Sequence, residues 1–338
     1  MRVVHILVFA LVAVVARASA QERLPDDDRI RLAEAKRLAR AVQESVWPGW
    51  AAAPFALLLV TDSLEFLVWH PRPSADFQSR GYDSLLDADV FSRPRNYPPN
   101  LLATFPAVGG VPTIVVGQPA KTGKNSTEWV LSVLHEHFHQ LQTSQVGYNA
   151  AVDSLRLARG DQTGMWMLNY PFPYDSVPVQ RLFAAFSQSL AAAPGDSAES
   201  SADVLRRYAT ARRQLRNALA GDDYRYLDFQ LWQEGIARYV EYACARLASS
   251  AHTPSGSFVA LPDYISYAEA ASRLREQLVG ALRTPDLGAR RRVNFYPVGA
   301  AIALLLDRTT PRWKDRYFTR MFTLDPEIDV PDGATPRR

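Results

Sequence analysis

The sequence predicts an α+β protein in which a small β-rich N-terminal part precedes a mostly helical part. Short apolar runs bounded by turn residues occur before residue 120, and such runs are typical of strands. After residue 120 the apolar residues recur at the three- and four-residue spacing of helices,. The chain of 338 residues is long enough to bury a sizeable core, in one large domain or in two closely associated ones,.

The first twenty residues have the composition of a secretory signal peptide. Arg2 gives a short basic start, an apolar run extends over residues 6–16, and Ala18-Ser19-Ala20 precedes Gln21 in the small-x-small pattern of a cleavage site,. The apolar run is short for a membrane span, although an uncleaved anchor is an alternative interpretation. We therefore expect a secreted or periplasmic protein that begins near Gln21 and keeps no stable membrane span.

Charge and cysteine content argue against several kinds of partner and scaffold. The formal net charge is +3 for the whole chain, and it falls to +1 without Arg2 and Arg17. Because charges of both signs are interspersed, we expect no nucleic acid or anionic membrane surface as a partner. The single Cys244 cannot form an internal disulfide, and we expect it to pack as a small apolar residue in a helix,.

Elements before residue 120 are predicted from periodicity and turn signals. Residues 27–46 alternate charged and apolar positions as an amphipathic helix does,. Residues 55–60 and 64–69 are apolar runs joined by a short polar turn, which predicts a β-hairpin, and residues 101–105 and 113–116 bracket two glycines in the same way,. The proline-rich stretch between the two hairpins is predicted to be loop.

Five further helices are predicted after residue 145, over residues 177–192, 202–219, 224–247, 264–282 and 298–305,. Residues 194–197 and 249–257 have the composition of solvated loops. The aromatic and proline-rich residues 165–174 suit either a packed loop or the wall of a substrate groove.

The most informative motif is His-Glu-x-x-His, formed by His135, Glu136 and His139. A helix turns about 100° per residue, so the two histidines lie one turn apart on the same face and are spaced to hold one metal ion. A glutamate beside them can take the proton from a metal-activated water and return it to a leaving group. His137 points away, and we expect it to be packed or hydrogen-bonded rather than a ligand.

The context of the motif predicts a buried helix. Asn125 stands at a plausible N-cap with Glu128 three residues later, which is a helix start signal,. Large apolar residues occupy several sides of the helix: Trp129, Val130, Val133, Leu134, Phe138 and Leu141. Polar groups in a buried helix need partners, and a metal ion would provide one for the histidines. We therefore favour a metal site over the alternative that these are surface histidines on an ordinary helix.

Two histidines do not complete a catalytic zinc site, which usually takes three protein ligands. The class with a third histidine six residues after the second is excluded, because Gln142 and Gln145 stand where Gly and His are required,. The segment that begins Trp232-Gln233-Glu234-Gly235-Ile236-Ala237 makes the chain resemble the gluzincin metallopeptidases, a superfamily that includes thermolysin-like enzymes and related zinc aminopeptidases.

In gluzincins the third ligand is a helical glutamate, often within Glu-Gly-x-Ala, so the resemblance implies that Glu234 is the ligand. Glu241, two turns along on nearly the same face, is the alternative ligand or an acceptor for a histidine N–H. Glu234 and Arg238 are also spaced as an ordinary exposed ion pair. Gly235 is expected to let the two ligand-bearing helices approach closely.

The resemblance covers two motifs and their order, and the chain departs from it in three places. The 94 residues between His139 and Glu234 are a long insertion, the aminopeptidase motif that holds the substrate amine is not present, and Arg238 stands where thermolysin has an aspartate. Endopeptidase and exopeptidase activity therefore both stay open. Tyr296, before an apolar helix, is the first choice for the donor that stabilises the oxyanion, and Tyr239, Tyr242 and Arg238 are alternatives.

These observations predict an exported, zincin-like peptidase that holds one zinc ion on His135, His139 and Glu234, uses Glu136 as general base, and acts on a peptide or protein. Residues 1–20 would be the leader, residues 21–120 a helix and hairpins packed on the catalytic part, and residues 121–338 the helical zinc-binding region. Two alternatives stay open: an inactive binding or scaffold protein with this fold, and a zinc hydrolase of a non-peptide amide.

Overall fold

A computed structural model describes residues 23–195 and 199–324, and it has the α+β architecture that the sequence predicts. A six-stranded mixed sheet lies in the N-terminal part, and most of the remainder is helical. The expected leader, residues 1–20, and residues 196 and 197 of a predicted loop lie outside the described residues. Within residues 23–195 and 199–324 no helix is both long enough and apolar enough to cross a membrane.

The chain divides into two compact units, each built from more than one stretch of sequence. The sheet unit comprises the described residues up to 37, residues 54–133 and residues 254–264. The helical unit comprises residues 38–53, 134–253 and 265 onward, as far as they are described. This division differs from the single boundary at residue 120 that the sequence suggested.

Six strands form one sheet in the sheet unit: β1 Leu57–Val60, β2 Leu64–Val68, β3 Gln78–Asp83, β4 Ala88–Pro94, β5 Leu102–Val108 and β6 Val111–Gly117. Their spatial order is β3-β4-β2-β1-β6-β5. All neighbouring strands are antiparallel except β1 and β6, which pair in parallel at the centre. Both hairpins predicted from the sequence, β1-β2 and β5-β6, are confirmed.

Central strands of the sheet are buried on both faces, which explains their continuous apolar sequence. Every residue of β1 is buried, and β6 is buried along most of its length. One apolar cluster of the sheet unit comprises Leu58, Val60, Leu67, Phe77, Val108 and Val115. These residues exclude water from the centre of the sheet and hold β1, β2 and β6 together.

The sequence does not predict the hairpin of β3 and β4, and it indicates only a proline-rich loop between the two predicted hairpins. Strand β3 has the sequence Gln-Ser-Arg-Gly-Tyr-Asp and is largely exposed, so it has no apolar alternation to reveal it,. A register shift between Ser79 and Gly81 interrupts its pairing with β4. This strand forms because its backbone pairs with the edge of an existing sheet. Burial of its own side chains contributes little.

The helices, in chain order, are α1 Asp26–Val46, α2 Pro119–Thr122, α3 Ser126–Thr143, α4 Tyr148–Ser154, α5 Trp166–Asn169, α6 Val177–Ser189, α7 Ser201–Ala218, α8 Gly221–Gln230, α9 Ile236–Ala251, α10 Gly256–Val259, α11 Tyr267–Arg283, α12 Leu287–Arg290, α13 Phe295–Thr309 and α14 Lys314–Tyr317. Short 3₁₀ turns cover Trp50–Ala52 and Arg291–Asn294, and a π-helical turn covers Leu231–Gly235.

Most predicted helices are confirmed within a few residues at each end, and two predictions need correction. The single helix predicted over residues 224–247 begins at Gly221, contains the π-helical turn, and continues to Ala251. Residues 249–251 are therefore helix rather than loop, and α10 begins at Gly256 within the same predicted loop. The second correction arises where alanine, serine and glycine give no clear apolar periodicity.

Aromatic side chains form the core of the helical unit near the motif residues. The ring of Trp47 makes edge contacts with Phe138 and Tyr317, at centroid distances of 4.8 and 4.9 Å. Tyr317 stacks on Trp232 at 4.3 Å. Because Phe138 belongs to α3 and Trp232 to the π-helical turn, this aromatic cluster fixes the two segments that carry the predicted ligands.

Candidate metal centre

Helix α3 carries the two motif histidines, and its start is capped as the sequence predicts. The Asn125 side chain accepts a hydrogen bond from the backbone N–H of Glu128 at 2.9 Å, and the Glu128 carboxylate accepts one from the backbone N–H of Asn125 at 3.3 Å. This reciprocal pair is a capping box. The helix that follows is buried on all sides at Trp129, Val130, Val133, Leu134 and Phe138.

The Nε2 atoms of His135 and His139 face each other across one turn of α3. They lie 3.2 Å apart, and their ring centroids are 5.0 Å apart. Both side chains are buried, with 7 and 6 % of the residue surface exposed. The two imidazoles therefore direct the same ring nitrogen toward one point, as ligands of a shared cation do.

Glu234 reaches this point from the π-helical turn between α8 and α9. Its Oε2 atom lies 3.8 Å from Nε2 of His135 and 3.6 Å from Nε2 of His139. Among the described residues these three side chains form a group that suits a metal ion, with all ligand atoms within 4.8 Å of one another. The structure thus brings together the three residues that the sequence analysis proposed as ligands.

The spacing of these donor atoms fits a tetrahedral zinc ion. Two ligands at about 2.0–2.2 Å from zinc in tetrahedral geometry lie roughly 3.3 Å from each other. The 3.2 Å between the two nitrogens matches this value, and the distances of 3.6 and 3.8 Å to the carboxylate exceed it by about half an ångström,. Two imidazoles and one carboxylate are also an ordinary ligand set for catalytic zinc.

A π-helical turn is rare and is frequent at functional sites, since it shifts side chains relative to a regular helix. Here side chains of the helical unit satisfy the backbone carbonyls of the turn. The Gln142 amide donates to the carbonyls of Trp232 and Gln233 at 3.3 and 3.0 Å, and the Tyr317 hydroxyl donates to that of Trp232 at 2.7 Å. The turn that positions Glu234 is therefore fixed by specific hydrogen bonds.

Close packing of two glycines holds the same turn against α13. A Cβ atom built on Gly235 would lie 2.5 Å from Cα of Gly299, and one built on Gly299 would lie 2.5 Å from the carbonyl oxygen of Leu231. Real side chains do not occupy such distances. The sequence predicts that Gly235 lets the two ligand-bearing helices approach each other, but the close contact of Gly235 is with Gly299 of α13.

Hydrogen bonds at the Nδ1 atoms orient both histidines. Nδ1 of His135 lies 3.2 Å from Oε2 of Glu241, which also accepts from Arg238 at 2.8 Å. Nδ1 of His139 lies 2.6 Å from Oε1 of Gln142, whose amide nitrogen already donates to backbone carbonyls. Glu241 and Gln142 thus offer an acceptor oxygen to each Nδ1, and the amide nitrogen of Gln233 also lies 3.2 Å from Nδ1 of His139. These contacts orient both rings so that each Nε2 faces the shared point.

Glu241 is therefore the acceptor for a histidine N–H, which was one of the two roles left open by the sequence. It contacts the ring nitrogen of His135 that faces away from Glu234. Arg238 does not form the ion pair with Glu234 that their spacing allows, because it pairs with Glu241. Glu234 is left to face the two histidines and, at 4.0 Å, the guanidinium of Arg292.

The buried charges at the centre shift the pKa values of its members. Burial lowers the pKa of His135, but hydrogen bonds with Glu234 and Glu241 outweigh this effect and raise the pKa to about 9,. Burial raises the pKa of Glu234, but the two histidines outweigh it and hold the pKa well below its usual range,. Glu234 therefore faces the two histidine rings as a charged carboxylate.

Glu136 follows His135 on α3 and is buried, with 7 % of its surface exposed. Its negative charge is one of the effects that raise the pKa of His135. A buried carboxylate next to a cation site has the chemistry of a general base, because it can accept a proton from a water held beside it.

Tyr296 lies at the centre, near Glu234. Burial and the charge of Glu234 hold the pKa of Tyr296 well above its usual value, while Arg292 opposes the shift. The hydroxyl accepts a hydrogen bond from the guanidinium of Arg292. The phenol is therefore neutral at pH 7 and has a proton to donate.

The three alternative donors lie elsewhere in the helical unit or serve another partner. The Tyr239 hydroxyl donates to Asp307 at 2.7 Å, and Tyr242 lines a separate cavity. Arg238 binds Glu241, and Glu241 in turn contacts His135, so Arg238 reaches the histidine only through Glu241. Of the four candidate donors, Tyr296 is the one that the structure places beside Glu234.

Arg292 and Tyr148 are polar residues near the centre that the sequence analysis missed. Arg292 stands four residues before Tyr296, so one helical turn brings them together, and that spacing was a usable signal,. The Tyr148 hydroxyl donates to Gln233 at 2.9 Å, and the charge of Glu234 contributes to its raised pKa. No sequence pattern links Tyr148 to the motif, because the contact depends on how α4 packs.

Two predictions of ordinary packing are confirmed. His137 is 1 % exposed, stacks on Trp50 at a centroid distance of 5.1 Å, and lies 2.9 Å from the side-chain oxygen of Gln140 through Nδ1. Cys244 is a buried free cysteine in α9. Neither residue belongs to the metal-binding group, and both roles are explained by burial in a helix.

The aromatic segment 165–174 is packed, and it lies close to Arg292. Trp166, Tyr170, Phe172 and Tyr174 are buried, and Phe172 packs on Phe295 at 5.3 Å. The charge of Arg292 lowers the pKa of Tyr174, although burial raises it overall. The aromatic side chains of the segment therefore have interior contacts, whereas its Met165 and Leu168 side chains are exposed.

The metal centre, as the term is used below, comprises His135, His139, Glu234 and Glu136. Four side chains contact or flank its members: Glu241, Gln142, Tyr296 and Arg292. All of them belong to the helical unit. Comparison of the chain with models of protein families, with curated protein sequences and with solved structures found no match.

Proposed function

We propose that this protein is an exported zinc-dependent peptidase of the gluzincin type. One observation carries the proposal: Nε2 of His135, Nε2 of His139 and Oε2 of Glu234 converge at 3.2, 3.6 and 3.8 Å, although Glu234 is distant in the sequence. The sequence motif alone supplies two histidines and a base. The added carboxylate supplies the third donor of a catalytic zinc site, which leaves a fourth position for water or substrate.

His135, His139 and Glu234 would hold the ion. A zinc ion bound there supplies a Lewis acid that polarises the substrate carbonyl and makes a water molecule acidic near neutral pH. Glu241 and Gln142 keep the histidine rings oriented through their contacts with Nδ1,. This support reduces the reorganisation needed when the substrate arrives.

Glu136 is the general base in this proposal. Its carboxylate takes a proton from the attacking water, and the same proton then passes to the leaving amine, since peptide cleavage requires a protonated amine product. Its burial strengthens these transfers, because water does not compete for the carboxylate,. A site that only stabilised the fold would need no such base and would fill its fourth position with a protein ligand.

Tyr296 and Arg292 stabilise the negative charge that develops on the carbonyl oxygen. The Tyr296 phenol stays neutral and donates its proton as a hydrogen bond, and the Arg292 guanidinium fixes the position of that hydroxyl. Donors placed in advance act without reorganisation during the reaction. This arrangement favours a hydrolase over a binding protein, which would need no oxyanion donor.

Cleavage of a mixed peptide library, with and without a chelator, tests the proposal when wild type is compared with Glu136→Gln. We expect wild type to cleave peptides, the chelator to abolish cleavage, and zinc to restore it. Glu136→Gln should keep zinc but lose cleavage, because the amide cannot accept the proton. Glu276→Gln, which changes an exposed carboxylate on α11, is the matched control and should cleave normally.

Full cleavage by Glu136→Gln would contradict the assigned base. A zinc-loaded wild type that cleaves no peptide would instead favour a scaffold protein or an amidase, and simple amides added to the library distinguish these two. Export is part of the same proposal, and the mass of the mature protein tests it: we expect a chain that begins near Gln21.

A further inference from the structure

A polar cavity lies in the helical unit, apart from the metal centre. It has a volume of about 350 Å³, and none of its lining residues belongs to the metal centre or to the four side chains that flank it. Helices α9, α11 and α13, which pack against one another, form its walls together with the loop at Ala193 and Pro194. The volume is within the range of small-molecule sites.

Each of the three helices presents the same pair of positions to the cavity. An arginine follows one helical turn after an apolar or aromatic residue in every case,. The pairs are Tyr242 with Arg246, Ala271 with Arg275, and Leu304 with Arg308. Three guanidinium groups therefore line an open cavity whose surface is mostly polar, and Ser272 adds a hydroxyl.

The part of the lining that the structure describes carries positive charge. Among residues 23–195 and 199–324, it includes three arginines and no aspartate or glutamate. Across residues 23–195 and 199–324, no carboxylate forms an ion pair within 4.0 Å with Arg246 or Arg308. Arg308 donates to the backbone carbonyl of Gly195 at 2.9 Å, which keeps it beside the loop that closes one wall.

We propose that this cavity binds a small organic anion that carries a phosphate group or several carboxylates. Guanidinium groups bind the paired oxygens of phosphate and carboxylate in a bidentate manner, and three of them suit a compact group with two or more negative charges. The apolar surface of Ala271, Leu304 and Pro194 accommodates a nonpolar body next to that group. The Tyr242 ring offers a face for stacking.

Calorimetric titration of the full-length protein with phenyl phosphate and with tricarballylate tests the proposal. The first probe carries a phosphate ester on an apolar ring, and the second carries three carboxylates. Neither is a strong zinc chelator. We expect saturable binding of one molecule per chain for at least one probe, and the stronger of the two identifies the preferred anion. Phenol and acetate at equal ionic strength should not bind.

Variants locate the binding within the protein. Arg246→Gln should weaken binding about tenfold or more, because one charge-assisted contact is lost. Ala271→Phe fills the cavity without changing its charge and should abolish binding. Arg273→Gln is the matched control: it removes the same charge from the same helix, but Arg273 pairs with Glu269 and does not line the cavity.

Three results would overturn the proposal. One is no saturable binding of either probe, and another is equal weakening by Arg246→Gln and Arg273→Gln, which would indicate general charge attraction. The third is loss of binding after the metal is removed by a chelator, because the anion would then occupy the metal centre. The unfolding temperature of each variant shows whether it is folded, and Arg246→Gln keeps the test decisive if Ala271→Phe fails to fold.

Discussion

Oε2 of Glu241 lies 3.2 Å from Nδ1 of His135, on the side of the ring that faces away from Glu234. The same oxygen accepts a hydrogen bond from Arg238. Glu241 thus fixes which nitrogen of His135 is available to a metal, without itself reaching the donor atoms of His139 and Glu234. Carboxylates in this outer position tune metal affinity by orienting the ligand.

Replacement of Glu241 by alanine should therefore weaken zinc binding without removing the site. We expect the zinc affinity to fall about 10–100-fold, as is usual for the loss of an outer partner, while one ion still binds at saturation. Competition with a chromophoric chelator measures both quantities. Glu269→Ala, an exposed change on α11, is the control. Loss of all binding at saturating zinc would make Glu241 a ligand, and unchanged affinity would remove its role.

Tyr296→Phe tests the oxyanion donor. We expect kcat to fall about 10²–10³-fold, since one preorganised donor is lost, while KM and zinc content change little. Steady-state kinetics on a peptide found in the library experiment, together with metal analysis, check this. Tyr82→Phe, which removes an exposed hydroxyl in the sheet unit, should behave as wild type. Equal kcat values for the two variants would show that Tyr296 only packs.

Gly299→Ala should destabilise the fold through the π-helical turn. The new Cβ would lie 2.5 Å from the carbonyl oxygen of Leu231 and 2.6 Å from Cα of Gly235, so backbone must move. We expect a loss of about 1–3 kcal/mol in the free energy of unfolding, measured by urea denaturation. Gly280→Ala is the matched control, because a Cβ there meets nothing within 4 Å.

Alanine at position 280 should increase the free energy of unfolding by about 0.5–1 kcal/mol, since glycine is unfavourable inside a helix. Equal stability of the two glycine variants would contradict the close approach of Gly235 and Gly299. A lower zinc affinity in Gly299→Ala would further link this packing to the position of Glu234.

The raised pKa of His135 predicts how zinc binding depends on pH. Its pKa of about 9 means that, in chelator-treated protein below that pH, the ring carries a proton that zinc must displace,. Apparent affinity should therefore increase as pH rises from 6 toward 9, by up to about tenfold per unit. Titrations in buffers of different ionisation enthalpy should detect one released proton near pH 7. A pH-independent affinity would contradict this.

The sequence was sufficient for the elements and residues that carry local patterns. Helix α1, the hairpins β1-β2 and β5-β6, and the capped helix α3 follow from apolar periodicity and turn residues. The pairing of Glu234 with the histidines followed from a family resemblance. The parallel pairing of β1 and β6, which joins the two hairpins in one sheet, has no local signal.

What the sequence did not predict depends on tertiary contacts. Strand β3 is exposed and polar, and pairing with β4 forms it. The π-helical turn at Glu234 depends on Gln142, Tyr317 and Gly299, which are all remote in the sequence. Arg292 and Tyr148 approach the centre through helix packing, so a single sequence gives little reason to select them.

The central claim is that Glu234 completes a metal site with the histidines of α3, and zinc stoichiometry in Glu234→Ala tests it most directly. Metal analysis after dialysis against a weak chelator should find one zinc per wild-type chain and one in Glu136→Gln. Glu234→Ala should retain almost none, because two imidazoles alone bind zinc weakly. A wild type without zinc, or a Glu234→Ala variant that keeps one ion per chain, would contradict the account.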